Sequence, residues 1–225
     1  MVDGRDHPGV KIAALQAHRS QLEIRDALRR FPRRGIRRWG SRRSGSLRAA
    51  VVITVVTGGS SPAVLLTQHV AVLREYTGQY VLPGGRINPR ESAPDAGRRA
   101  LAAEIGMRLP PESVLGLLDD YETRAGSVIT PVVAWAGEYS ALLHSSPEAS
   151  PETQVFAVPF PDLDVEPVFV ASSEPDRPVI RLPLHGEWLH APTAAVLYQF
   201  REVVLRSRRT RVTHLQEGAS APCEC

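Results

Sequence analysis

Residues 85–107 read GRINPRESAPDAGRRALAAEIGM, and this stretch decides how the chain is understood. It follows Gly84, places Glu91 six residues after Gly85, and runs into an apolar-periodic segment ending Glu104-Ile105-Gly106-Met107. Pro94 suits a first helical turn, Ser92 stands in capping position and Gly106 is placed to stop the run. The spacing therefore predicts a helix from about 94 to 104. On that helix positions 100, 103 and 104 are related as i, i+3 and i+4, so they share a face. Three carboxylates there would gather around a hard divalent cation, which takes oxygen ligands and neutralises phosphate oxygens. This chain instead carries Ala100, Ala103 and Glu104. Glu91 is spaced to pair with Arg99 and fix the loop against the helix. Asp95 lies nine residues before Glu104, about two and a half turns away, and projects elsewhere.

The stretch resembles the Nudix signature, G-x5-E-x7-R-E-U-x-E-E-x-G-U, where U is bulky and apolar. Gly85, Glu91, Arg99, Leu101, Glu104, Gly106 and Met107 match it, whereas Ala100 and Ala103 stand where the family has glutamates. The preceding segment narrows the resemblance. Leu65-Leu66-Thr67, Leu73-Arg74, Gly78-Gln79 and Leu82-Pro83-Gly84-Gly85 look like the coenzyme A diphosphatase pattern LLT-x-R-S-x-x-L-R-x-H-x-G-Q-x-x-F-P-G-G. His69, Val70, Tyr76 and Leu82 depart from its Arg, Ser, His and Phe. Leu118–Arg124, Ile129–Val133, Val155–Pro159 and Thr193-Ala194 also look like that subgroup, so the resemblance covers roughly residues 47–205.

The resemblance implies an α/β fold, the Nudix α/β/α sandwich with a mixed β-sheet. It also implies hydrolysis of the diphosphate of coenzyme A or an acyl-CoA to 3′,5′-ADP and a 4′-phosphopantetheine, with Mg2+ or Mn2+. Glu104 and the Gly85 carbonyl would remain as metal ligands, with Glu91 and Arg99 as the other catalytic-box residues. Arg74, Gln79 and Gly84 would contact substrate. The subgroup's glutamate before its Val-Phe-x-Val-Pro segment falls at Pro151, with Glu152 one residue away.

Each of these residues has a plainer reading. Glu104 is either a cation ligand or a solvated helix glutamate, and the Glu91–Arg99 pair is foremost structural. Arg74 either contacts phosphate or is an exposed strand-end arginine. Asp119, Asp120 and Glu122 are a replacement acid cluster or, as favoured here, the solvated end of a strand. Glu138, Glu148 and Glu152 lie in or beside loops, where a catalytic base is often recruited. The seven histidines lack zinc-motif spacing, and no G-x-S-x-G elbow supports nucleophilic serine catalysis.

A chain of 225 residues, 43% hydrophobic, can bury a substantial core and suits one domain with extensions. The expected organisation is an Arg-rich extension over 1–46, a Nudix domain over 47–206 and a frayed polar tail over 207–225. No apolar run approaches the roughly 18 residues that span a bilayer, and the N-terminus lacks secretory-signal order. Cys223 and Cys225 are the only cysteines, too few for a disulfide framework or closed zinc site. A cytoplasmic protein is the plain expectation, and a homodimer is compatible with it. Residues 29–48 hold nine arginines and no acid. Subtracting these from the net +3 leaves about −6 elsewhere. Without an aromatic ladder, this block does not point to nucleic acid. Lysine is nearly absent, so the arginines reflect composition, though some could meet the 3′-phosphate of coenzyme A.

Apolar spacing predicts a helix over 11–30, then a linker over 32–46. Strands are expected at 49–56, 64–67, 80–82, 114–118, 128–136, 154–158 and 179–182, with a last helix at 192–206. The resemblance implies a metal-dependent hydrolase; the alternative is a Nudix-fold module that binds a nucleotide, a CoA-like ligand or a protein partner without cleaving it.

Overall fold

The β-branched run Ala49–Val56 forms the central strand, because such side chains suit a pleated surface buried on both faces. In the computed structural model, which describes residues 20–36, 47–58, 61–69, 79–138, 153–174 and 176–218, it is β1, Arg48–Thr57. β2 (Ala63–His69), β3 (Tyr80–Val81) and β4 (Gly84–Arg86) follow. The helix α2 (Ala93–Ile105) comes next; α1 is residues 20–30. β5 (Val114–Leu117), β6 (Tyr121–Glu122), β7 (Val128–Glu138) and β8 (Thr153–Pro159) complete the main sheet. β1 pairs parallel with β7 over its whole length and antiparallel with β2 and β4, so the sheet is mixed. A smaller antiparallel sheet, in the order β11-β10-β9, is built from β9 (Val168–Val170), β10 (Val179–Leu184) and β11 (Glu187–His190).

Two apolar layers separate the helices. α2 inserts Leu101 against Val52, Val56, Leu65 and Ala134. A larger layer joins Ile53, Val55 and Leu66 to Ile24 and Leu28 of α1, and to Ala194, Leu197 and Phe200 of α3 (Thr193–Phe200). Helices on both faces of a mixed sheet make the α/β/α sandwich that the sequence predicts.

Elements fall within one or two residues of most expectations, and five features depart from them. The last helix stops being α-helical at Phe200 and continues as a π segment, Arg201–Leu205. Its buried Arg201 meets Asp164, Glu166 and Glu202 at 2.6–3.2 Å. Residues 207–218 are not a frayed tail: Val212 and Leu215 are buried, and Gln216 donates its N–H to the Pro178 carbonyl. Within the expected linker, residues 32–36 are docked, whereas 37–46 lie outside the described residues. Leu22 of α1 is exposed rather than core, and Ile12 and Leu15 fall outside the described residues.

The fifth departure explains two of the others. Asp119 and Asp120 are buried, at 0% and 2% exposure, rather than solvated. Asp119 accepts from the Arg34 N–H at 2.6 Å, from Arg211 at 2.7 and 2.8 Å and from Gln199 at 3.0 Å. Asp120 accepts from Arg33 at 2.7 Å, Thr130 at 2.8 Å and the Ile36 N–H at 2.8 Å. Buried charges persist only when paired and hydrogen-bonded, which is why both terminal segments are drawn in. Asp120→Ala strips partners from Arg33, Thr130 and the Ile36 N–H together. Urea unfolding should show a loss of about 3 kcal/mol, and stability within ~0.5 kcal/mol of wild type would contradict this role.

Candidate functional site

The box helix is set by local chemistry. Ser92 caps α2, its hydroxyl accepting from the Asp95 N–H at 3.2 Å and donating to the Asp95 carboxylate at 2.6 Å. Gly106 ends the helix at φ 71°, a left-handed conformation that suits glycine. Between them Ala96, Gly97, Ala100 and Leu101 are buried. A Cβ on Gly97 would lie 2.7 Å from Val52 Cγ2, so a bare glycine lets α2 rest on β1. Gly84 is equally constrained: a Cβ there would meet the Ala50 carbonyl oxygen at 2.5 Å.

Glu91 and Arg99 form the expected clamp. Arg99 donates Nε and Nη2 to the two Glu91 oxygens at 2.8 and 2.9 Å, and Nη2 also reaches the Arg86 carbonyl at 2.8 Å. The Asn88 N–H donates to Glu91 at 2.9 Å. Together the Arg99 hydrogen bonds, then the Asn88 N–H, hold the Glu91 carboxyl down at about 2. This geometry fastens the 86–91 loop to the helix.

Glu104 is placed differently. Its Oε1 is 3.5 Å from the Gly84 N–H, and its buried Oε2 has no hydrogen-bond partner among the described residues. Burial pushes this carboxyl up to about 7, opposed only by the Gly84 N–H. Ala100 is buried beside Gly85, whose Cβ, if it had one, would be 3.3 Å from the Ala100 methyl. Ala103 is exposed on the outer side of the helix. Thus Glu104, Gly84 and Gly85 come together, while Glu91 and Arg99 make a separate pair along the helix.

The donor set does not fit a family-type divalent site. Glu104 supplies one carboxylate and Ala100 and Ala103 supply methyl groups where the family pattern gathers three carboxylates, so a Mg2+ ion would take nearly all its oxygens from water and substrate. Among the described residues, no three His, Cys, Asp or Glu side chains converge on a common point. Gln79 is exposed at the start of β3 and Glu138 is exposed at the end of β7. Arg74, Glu148 and Glu152 lie outside the described residues. Sequence reasoning misread Asp119 and Asp120 as solvated, because most of their partners lie roughly eighty or more positions away and leave no local signal.

The Glu104 carboxyl has a measurable signature. A carboxylate whose folded pKa is raised above its unfolded value favours folding most at low pH. In EDTA, wild-type stability should therefore fall between about pH 4.5 and 7, by on the order of 2 kcal/mol. Glu104→Gln removes that component, so its unfolding free energy should exceed the wild-type value at pH 8. Parallel pH profiles for the two proteins would contradict the burial of an ionisable group there.

Known proteins give the same frame. The NUDIX domain family profile matches residues 46–173. The uncharacterised Nudix hydrolase NudL of Cronobacter sakazakii is 35% identical over 95 residues, 41% of this chain and 49% of the relative. NudL of Klebsiella pneumoniae strain 342 is 31% identical over 140 residues, 61% and 70% of the two chains. With NudL of Citrobacter koseri the match spans 57% of the relative, so this chain covers about half the length of several such proteins. Among solved structures, the Mycobacterium smegmatis Nudix hydrolase RenU aligns with 71% of this chain and 87% of its own, at 22% identity and a TM-score of 0.44. The chain belongs to the Nudix family.

Proposed function

We propose that this Nudix chain binds a diphosphate-containing nucleotide of the coenzyme A class where Gly84 and Gly85 meet Glu104, without metal-dependent cleavage. The observation that supports this is the single carboxylate, Glu104, left between the methyl groups of Ala100 and Ala103. A protonated Glu104 carboxyl donates to a phosphate oxygen, whereas three ionised carboxylates without metal would repel it. Gln79, and Arg74 ahead of it, are assigned to the ligand on the strength of the sequence resemblance.

A second reading keeps the hydrolase. The unpartnered Glu104 Oε2 favours it, since that atom is free to meet a cation. In it Glu104 and the Gly85 carbonyl hold Mg2+ or Mn2+, Glu91 and Arg99 brace the helix, and CoA is cut to 3′,5′-ADP and 4′-phosphopantetheine. Losing one group that stabilises transition-state charge commonly costs ~10²–10³ in rate, and losses at one metal are not additive.

The two readings separate in one assay. The protein is incubated with CoA, acetyl-CoA, ADP-ribose and NADH in Mg2+, Mn2+ or EDTA, and binding and products are followed together. The binding reading expects saturable CoA binding that survives EDTA and weakens as pH rises through about 7, with no 3′,5′-ADP released. The double variant Ala100→Glu/Ala103→Glu should then gain metal-dependent release of 3′,5′-ADP. Metal-dependent product from the unaltered protein establishes the hydrolase instead.

A further inference from the structure

A second charged feature lies on α2, turned away from Glu104. Asp95, Arg98, Arg99, Ala102, Ala103 and Arg108 line a cavity of about 420 Å³. At 100° per residue, positions 95, 98, 99 and 102 cluster around one direction, while Gly97 and Glu104 point roughly opposite. The cavity is therefore distinct from the face that meets Gly84 and Gly85.

The Arg98 and Arg99 guanidinium groups are held in place by protein contacts. Arg98, its side chain only 23% exposed, donates Nε to the Leu109 carbonyl at 2.7 Å and Nη1 to Asp95 at 3.1 Å. Arg99 is fixed by its two bonds to Glu91 and a third to the Arg86 carbonyl. Arg108 enters from beyond the helix C-terminus. Three guanidinium groups against Asp95 give the lining a formal +2, of which Glu91, paired with Arg99, offsets one. The methyl groups of Ala102 and Ala103 leave the space between them open, where longer side chains would fill it.

We infer that this cavity is a binding site for a phosphate dianion, either free or carried as a monoester on a nucleoside. Guanidinium forks match phosphate geometry and form charge-assisted hydrogen bonds with it. Because the ordering of Arg98 and Arg99 is already accomplished by protein contacts, little side-chain freedom is lost on binding. The site uses none of Glu104, Gly84 and Gly85, and Ala103 lies at the border between the two faces.

The test titrates the full chain, in EDTA and low salt, with inorganic phosphate, 3′-AMP and adenosine by calorimetry. Saturable phosphate binding is expected, weakened about tenfold or more by Arg108→Ala and by Ala103→Glu, which places a carboxylate in the lining. Arg209→Ala, in a separate cavity, should leave it unchanged. Tighter binding of 3′-AMP than of phosphate, with none of adenosine, identifies a monoester carried on a nucleoside; equal binding identifies free phosphate. Absence of saturable phosphate binding, or equal affinity in the unaltered protein and the Ala103→Glu variant, overturns the site. Ala103 is exposed, so that variant keeps the test decisive even if Arg108→Ala does not fold.

Discussion

Two adjacent carboxylates, Asp119 and Asp120, hold together parts of the chain that are far apart in sequence. They follow β5 and accept from Arg33, Arg34, Ile36, Thr130, Gln199 and Arg211. Neither charge could stay buried without these partners. Arg211 is held from a second side as well, its guanidinium lying 4.5 Å from the Phe31 ring centre, and Phe31 is itself core. Because Arg33, Arg34 and Ile36 come from before β1 and Arg211 from after α3, the sandwich is completed on that face by both flanking segments. α1 then supplies Ile24 and Leu28 to the core rather than hanging from it.

The opposite face shows why the box can lose ligands and keep its shape. Gly84 and Gly97 permit close packing, Ser92 and Gly106 cap α2, and Glu91 with Arg99 ties the loop down. None of these tasks needs a metal. Ala100, buried beside Gly85, helps the packing, since a glutamate there would have to bury a charge. The elements of the box that make the fold are therefore separable from those that make a cation site. Positive charge along α2 from Arg98, Arg99 and Arg108 changes the balance around the helix further toward anions.

Legibility in the sequence followed the range of the interactions. The box helix was readable to within a residue, because its cap, its stop and its Glu91–Arg99 spacing are all local. β1 and β7 were readable from β-branched runs. Asp119-Asp120 read as a solvated strand end because a pair of acids before a tyrosine carries no trace of partners at 33–36 or 211. The same distance hid Val212 and Leu215, which are isolated apolar residues in a polar stretch. β9 escaped notice because Val168–Val170 is three residues long and exposed throughout. At the site, the loss of two carboxylates was plain from Ala100 and Ala103, whereas the burial of Glu104 required the packing of α2 on Gly84.

Everything about the site turns on whether Glu104 and the Gly85 carbonyl suffice to hold a divalent cation. A Mn2+ titration of the full chain at pH 7.5, followed by electron paramagnetic resonance of the free ion, answers this directly. Binding only in the millimolar range, unaltered in Glu104→Gln, is the outcome predicted if Glu104 and the Gly85 carbonyl hold no cation. A micromolar site abolished by Glu104→Gln would show that other groups complete the coordination, and would contradict the account.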